Sequence, residues 1–126
     1  MPIIYILGNP FLQEDSLPHR LLPTLKKNFP NIIFKELDPT ETLPEQEHLL
    51  IIDTVINIKK PCIITDVAQL AAQPTYSLHD FDLGFNLQLM KKLGKITTFH
   101  IIGLPPTYQE QQAIDYLEQT LPTLLK

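Results

Sequence analysis

The amino-acid sequence predicts an α/β fold, a three-layer α/β/α sandwich around a mostly parallel sheet of about five strands. Short, continuous runs of apolar and β-branched residues are typical of strands that are buried on both faces of such a sheet. Segments with apolar residues at helical spacing are interspersed with these runs, as expected for helices that cover the faces. A chain of 126 residues is most simply one domain spanning residues 1–126, since two halves would each bury too small a core to be stable.

Five segments are predicted to be strands. The first is a short apolar run bounded by Pro2 and Gly8, which is the punctuation typical of a buried strand. The third contains four consecutive apolar residues that lead into Asp53. The predicted strands cover residues 3–7, 31–38, 48–55, 61–66 and 95–104.

Three segments are predicted to be helices. The first begins near Ser16, and Pro23 in its interior predicts a kink or a broken turn because proline cannot donate the helical hydrogen bond. The second begins with a Ser77–Asp80 capping box and ends at Gly94, and the third begins with a Thr107–Glu110 capping box. The apolar stripes expected to face the core are Leu17, Leu21, Leu22 and Leu25 in the first helix, Leu83, Leu87 and Met90 in the second, and Ala113, Ile114, Leu117 and Leu121 in the third.

Composition limits the classes of function. No apolar run approaches the roughly 20 residues needed to span a bilayer, and the N-terminus lacks the basic region and cleavage site of a signal peptide. The only cysteine, Cys62, precludes an internal disulfide and is typical of a reducing cytoplasm. The net charge is −4 at pH 7, and the basic residues form no stripe of the kind that binds nucleic acid. We therefore expect a cytoplasmic protein with neither a membrane nor a nucleic-acid partner. A monomer is also expected, although composition does not determine the oligomeric state.

Several common catalytic motifs are missing from the sequence. The four glycines form neither a dinucleotide-binding fingerprint nor a P-loop, so no nucleotide cofactor is expected. The two serines, Ser16 and Ser77, do not lie in a nucleophile elbow, and there is no zincin helix, calcium loop or CxxC pair. Cys62 lies within a predicted strand and is interpreted as a small buried hydrophobic residue.

Acidic residues instead follow three of the predicted strands. Asp15 lies just past the first strand, Asp38 ends the second and Asp53 ends the third, and sites in open α/β sheets form outside the carboxyl ends of the strands. His79 lies in the first turn of the second helix, near the same edge if the preceding strand runs parallel to its neighbours. Two carboxylates and an imidazole would suit a divalent ion. Spacing alone leaves open that the acids cap turns and that the histidine is exposed and inert.

Four segments, GNPFLQEDSLPHRLL, LDPTE, LLIIDTV and SLHDFDLG, occur in an order and at a spacing that resemble the hydrogenase maturation protease family. These endopeptidases process the large subunit of nickel-iron hydrogenases. The resemblance implies that Asp15, Asp53 and His79 are metal ligands. It further implies that Asp38 and Thr40 take part in substrate recognition, with Asp38 also a candidate catalytic residue that orients the substrate or shuttles a proton.

The resemblance also implies an activity. The expected reaction is removal of the C-terminal extension of a nickel-loaded hydrogenase large-subunit precursor, which is then the partner of this protein. The enzyme would be a metal-dependent endopeptidase, although members of the family are sometimes classed as aspartic-type. Nickel is the expected metal, either carried by the substrate or bound at Asp15, Asp53 and His79, and zinc or cadmium would suit the same ligands in a crystal.

Two alternatives to this activity stay open. Ser16, Leu17 and Pro18 stand where the family has glycine, and this favours a non-catalytic relative that acts as a chaperone for a hydrogenase subunit or a metal. A small α/β binding domain without a metal is the other alternative. It predicts that the three candidate ligands lie too far apart to share an ion.

Overall fold

The sheet contains five strands in the order β2-β1-β3-β5-β4. A computed structural model of the chain describes residues 2–7, 16–37, 43–55, 58–71 and 78–125. Within them the strands are shorter than predicted but lie where the apolar runs indicated. Their bounds are β1 Ile3–Ile6, β2 Ile33–Glu36, β3 His48–Thr54, β4 Cys62–Ile64 and β5 Thr98–Leu104.

The sheet is mostly parallel, as predicted, and β4 is the antiparallel strand. The four strands β1, β2, β3 and β5 pair in parallel, whereas β4 pairs antiparallel with β5. Parallel neighbours need a crossover of a dozen or more residues to return the chain to the starting edge. Only residues 55–61 separate β3 from β4, so β4 begins at the edge where β3 ends.

The described residues contain four helices, one more than the sequence predicted. Their bounds are α1 Leu17–Asn28, α2 Val67–Ala71, α3 Leu78–Lys92 and α4 Glu110–Leu124. The additional helix, α2, begins where the Asp66 carboxylate accepts a hydrogen bond from the backbone N–H of Ala68 at 2.8 Å. As predicted, Gly94 follows the end of α3, with the left-handed φ of 72° that favours glycine.

Two local features of the helices differ from the prediction. The helix α1 continues through Pro23, so the broken turn that was one of the two predicted outcomes is not formed; the buried leucines on both sides of Pro23 pack the whole helix against the sheet. The helix α4 begins two residues later than predicted, since a turn closed by a hydrogen bond from Tyr108 N to Pro105 O (3.1 Å) occupies Thr107. The N-terminus of α4 is instead closed by the Gln112 side chain, whose Oε1 accepts a hydrogen bond from Gln109 N at 3.0 Å.

Helices cover both faces of the sheet, which confirms the three-layer arrangement. The helices α1 and α4 bury their stripes on one face, against side chains of β1, β3 and β5. The helix α3 buries its stripe on the other face, against alternate residues of the same strands. All the predicted stripe residues are buried except Leu22, which is partly buried, and each fully buried leucine contributes about 1.5–3 kcal/mol. Among the described residues, no helix combines the length and the apolar character that crossing a membrane requires.

Candidate functional site

Asp53 is a buried acid at the carboxyl edge of the sheet. It is the penultimate residue of β3, in the middle of the sheet, and its exposed fraction is 6%. The backbone N–H of Thr54 donates a hydrogen bond of 2.7 Å to Asp53 Oδ1. A buried carboxylate is costly unless it is paired or hydrogen-bonded, so its place at a strand end, where backbone donors become available, is physically reasonable.

The carboxylate lies on the face of the sheet that α3 covers. Residues paired across neighbouring strands project to the same face, and alternate residues share a face. Leu49 and Ile51, on the same face of β3, pack in the cluster that includes the buried stripe of α3. The sequence predicted the strand end but not the face, since the face depends on which helices cover it.

Gly103 and Cys62 lie beside Asp53 in one row across three strands. Asp53 pairs with Gly103 of β5, and Gly103 pairs with Cys62 of β4. A Cβ atom at position 103 would lie 2.6 Å from Val55 Cγ2 and 2.8 Å from Cys62 Sγ. Only glycine therefore fits between these side chains. Sequence analysis did not identify this contact, although a glycine inside an apolar strand is a signal of close approach.

The chemistry of Cys62 does not suit a nucleophile. Burial raises the pKa of its thiol above the ordinary 9.0, and the negative charge of Asp53 raises that pKa further, partly offset by a hydrogen bond with the backbone of Gly103. A cysteine nucleophile needs the thiolate at neutral pH, which requires the opposite shift of the pKa. Cys62 lies within the strand β4, as predicted, but it is half-buried and not the fully buried residue that the sequence indicated.

The helix α3 begins at the edge where Asp53 lies. Its end is at the opposite edge, because Lys91 Nζ lies 5.8 Å from the ring centroid of Phe99, at the start of β5. A helix of 15 residues is about 22 Å long, which matches the roughly 23 Å of a seven-residue strand such as β5. The first turn of α3, which contains His79, is therefore level with the carboxyl edge.

The reason that the start of α3 lies at the carboxyl edge differs from the one that the sequence predicted. The prediction for His79 assumed that the preceding strand runs parallel to its neighbours, and β4 is antiparallel. The first turn of α3 reaches the carboxyl edge nonetheless, because β5 is parallel to β3 and the chain must arrive at the opposite edge to begin β5.

The other candidate site residues lie outside the described part of the chain. Asp15 immediately precedes Ser16, and Asp38 and Thr40 follow Leu37, the last described residue after β2. Within the described ranges, no group of three or more His, Cys, Asp or Glu side chains is arranged to hold a metal ion. Of the predicted ligands, Asp53 is the one whose side chain is described, and the convergence of the triad stays a prediction.

Solved structures of two endopeptidases share this fold. The chain is similar to the hydrogenase maturating endopeptidase HybD from E. coli, with a TM-score of 0.68 and 20% identity over 98% of this chain and 92% of that one. It is also similar to the solution structure of an endopeptidase from Escherichia coli, with a TM-score of 0.70 and 19% identity over the same shares. These likenesses confirm the fold that the sequence resemblance implied.

A third similar structure is an uncharacterized protein from Wolinella succinogenes, with a TM-score of 0.59 and 12% identity over 99% of both chains. No protein-family model and no curated protein sequence matches the chain. At these identities the likeness to solved structures establishes the fold, and the activity needs its own argument.

Proposed function

We propose that this protein is an endopeptidase that removes the C-terminal extension of a nickel-loaded hydrogenase large-subunit precursor. The observation that carries the proposal is Asp53, a carboxylate that is 6% exposed and lies one residue before the end of the central strand of this fold. The fold is shared over nearly the whole chain with a hydrogenase maturating endopeptidase. A buried ionisable group at the carboxyl edge of an α/β sheet is typical of a functional site.

The proposed ligands fit a divalent cation. Asp15 and Asp53 would supply carboxylate oxygens and His79 an imidazole nitrogen, a donor set that suits zinc, nickel or cadmium. When bound, such an ion supplies Lewis-acid polarisation of a carbonyl and activation of a water molecule. The N–H of Thr54 holds one oxygen of Asp53, and this fixes the direction in which the carboxylate can offer its remaining lone pairs.

The remaining roles follow from the chemistry of the chain. Cys62 keeps its proton at neutral pH, because burial raises the pKa of its thiol, and so an acyl-enzyme at Cys62 is not part of the proposal. Water is then the nucleophile, and Asp38 accepts or returns its proton or orients the substrate. The row of Asp53, Gly103 and Cys62 holds the end of β3 in place while the substrate binds.

The test is cleavage of a purified, nickel-loaded large-subunit precursor, followed by mass spectrometry of its C-terminus. The wild-type protein should produce a precursor that is shorter at the C-terminus, and Asp53→Asn or His79→Ala should abolish this product. Asp115→Asn is the matched control, because Asp115 is an exposed acid on α4 that accepts a local hydrogen bond from Gln111 at 2.8 Å. Asp53→Asn keeps the volume of the side chain and removes its charge, and circular dichroism verifies that each variant is folded.

The outcomes separate the proposal from its alternatives. Cleavage by Asp53→Asn at the wild-type rate would contradict the proposed site. Binding of the precursor by the wild type without any loss of mass would favour the chaperone alternative instead.

A further inference from the structure

The helix α3 is apolar on its outer face as well as its inner one. Phe85, Leu89 and Leu93 follow one another at intervals of four residues, which aligns them along one side of the helix. Their exposed fractions are 59%, 43% and 59%. We call these three residues the outer stripe. The buried stripe of α3 faces the sheet, so the outer stripe has no role in the core.

A groove of about 390 Å³ lies beside the outer stripe, between α2 and α3. Gln88 and Lys92 of its lining are neighbours of the outer stripe on the surface of the helix. Gln88 lies three positions after Phe85 and Lys92 three positions after Leu89, and residues at this spacing lie side by side. Lys91 and Lys92 supply two positive charges to the groove, whereas Asp66 supplies one negative charge. This surface is therefore locally positive, on a chain whose net charge is −4. The groove is lined by Asp66, Val67, Gln88, Lys91, Lys92 and Phe99.

The area of the outer stripe favours a transient partner. A fully exposed side chain of this size presents about 150–250 Å², so the three exposed fractions together leave roughly 300 Å² of apolar surface. A stable dimer buries about 800 Å² on each partner. A patch of roughly 300 Å² on a monomer is of the size that is often functional, but it is too small to hold a second copy of the chain by itself.

The position of the stripe connects it with the candidate site. Phe85 lies six residues after His79 on the same helix, a distance of about 9 Å along the axis. A protein substrate whose scissile bond is at the carboxyl edge therefore extends naturally along α3.

We propose that the outer stripe and the neighbouring groove bind an amphipathic, acidic segment of the protein substrate. Apolar side chains of that segment lie on Phe85 and Leu89, and a carboxylate lies in the groove near Lys92. This inference rests on the proposed function, because it assigns a docking surface to the same substrate. The helix α3 then contributes to the affinity for the substrate, whereas the catalytic residues lie at the carboxyl edge of the sheet.

The test combines cleavage kinetics with binding of a purified, nickel-loaded large-subunit precursor. The double variant Phe85→Ser/Leu89→Ser should raise KM about tenfold or more, as expected for central apolar contacts, while kcat changes less than about twofold. Its control is Ile33→Thr, since Ile33 is an exposed hydrophobic residue, 37% exposed, on the edge strand β2.

A second pair of variants tests the electrostatic attraction between the groove and the acidic segment of the substrate. Lys92→Glu should raise KM and weaken the dependence of KM on ionic strength, because salt screens attraction between exposed charges. Lys27→Glu makes the same change of net charge in the last turn of α1, where Lys27 is also exposed, and should leave KM unchanged. This pair keeps the proposal testable even if the double variant does not fold.

Each outcome of these experiments decides for or against the docking surface. An unchanged KM in both the double variant and Lys92→Glu overturns the proposal, as does a wild-type protein that does not bind the precursor. Analytical ultracentrifugation could instead show that the wild type is a dimer and that the double variant is a monomer. This result would assign the outer stripe to a contact with a second copy of the chain, and it would also overturn the proposal. If the wild type binds but does not cleave, loss of binding in the double variant supports the docking surface while the proposed activity fails.

Discussion

Replacing Gly103 by alanine tests whether the row of residues beside Asp53 is as tightly packed as the structure indicates. The new Cβ would lie 2.6 Å from Val55 Cγ2 and 2.8 Å from Cys62 Sγ. Carbon atoms in contact are normally about 3.5–4.0 Å apart, so both side chains must move by about 1 Å. Val55 is buried and β-branched, which leaves it few other rotamers.

The expected loss of stability can be worked out from these contacts. Overpacking of a well-packed core costs about 1–3 kcal/mol, and replacing glycine by alanine returns about 0.4–1 kcal/mol by restricting the unfolded chain. The net loss is then roughly 0–2.6 kcal/mol, with a midpoint of about 1.3 kcal/mol. For a chain of 126 residues, unfolding entropies of about 2.1 cal/mol/K per residue convert this midpoint into a fall in Tm of roughly 5 °C and the upper limit into roughly 10 °C.

Thermal and urea denaturation of a double-mutant cycle measure the effect. Gly103→Ala alone should be destabilised, and Cys62→Ala or Val55→Ala in the same background should recover part of the loss because each removes one clashing atom. The coupling energy should be about 0.5 kcal/mol or more. Gly94→Ala is the matched control, because Gly94 has a φ of 72° and a Cβ added there would meet no described atom within 4 Å. Its loss of stability should come from backbone strain, which Cys62→Ala cannot relieve. Additive effects of Gly103→Ala and both partner substitutions would refute the packing argument.

Two further predictions concern pH and the core. Burial raises the pKa of the Cys62 thiol above its ordinary 9.0. As the pH rises above 9, the unfolded chain therefore loses this proton before the folded protein does. The contribution of the protonated thiol to folding stability is complete below pH 9 and is lost as the pH rises through the folded-state pKa. Urea denaturation from pH 7 to about pH 10.5 should show a steeper decline for the wild type than for Cys62→Ala, and parallel profiles would contradict the raised pKa. Leu117→Ala should cost about 2–5 kcal/mol in free energy of unfolding, because Leu117 is fully buried under α4. Leu93→Ala, at an exposed position, should change the same quantity by less than about 0.5 kcal/mol, and similar costs for the two would refute the assigned burial.

The strands and the three long helices were predictable because their signals are local. A continuous apolar run identifies a buried strand, and a stripe of period 3.6 identifies the inner face of a helix. The ends of elements were less predictable because they depend on competing hydrogen bonds. The last strand begins at Thr98 and not at Lys95, for example, since Lys95 N bonds to Met90 O at 2.9 Å and closes α3.

The short helix α2 shows a limit of periodicity. Five residues are too few to display a stripe, and this helix is instead held by side chains that bond to the backbone. Gln69 Oε1 accepts hydrogen bonds from Thr65 N at 2.8 Å and Asp66 N at 3.1 Å. Such bonds depend on rotamers that the order of residues does not specify.

At the candidate site, the sequence predicted a residue type and a place along the chain, but not the neighbours. Asp53 at the end of an apolar strand was sufficient to predict an acid at the carboxyl edge. Its proximity to Gly103 and Cys62 depends on strand order and register. These residues lie 50 and 9 positions away along the chain, but all three share one row across neighbouring strands. The burial of Asp53 likewise follows from its central strand and not from its local sequence.

The direction of β5 matters more for His79 than the direction of the strand that precedes its helix. Because β5 pairs in parallel with β3 over seven residues, the chain must return to the starting edge of β3 before Thr98, and Thr97 N accordingly bonds to Glu47 O there at 2.8 Å. The helix α3 is as long as β5, so its first turn must lie at the edge where Asp53 ends β3. An antiparallel β4 therefore leaves His79 at the same edge as Asp53. The proposal that Asp15, Asp53 and His79 bind one metal ion consequently depends on the distances between side chains at a single edge of the sheet. The deciding measurement is Zn²⁺ binding, which the wild type should show and Asp53→Asn should not.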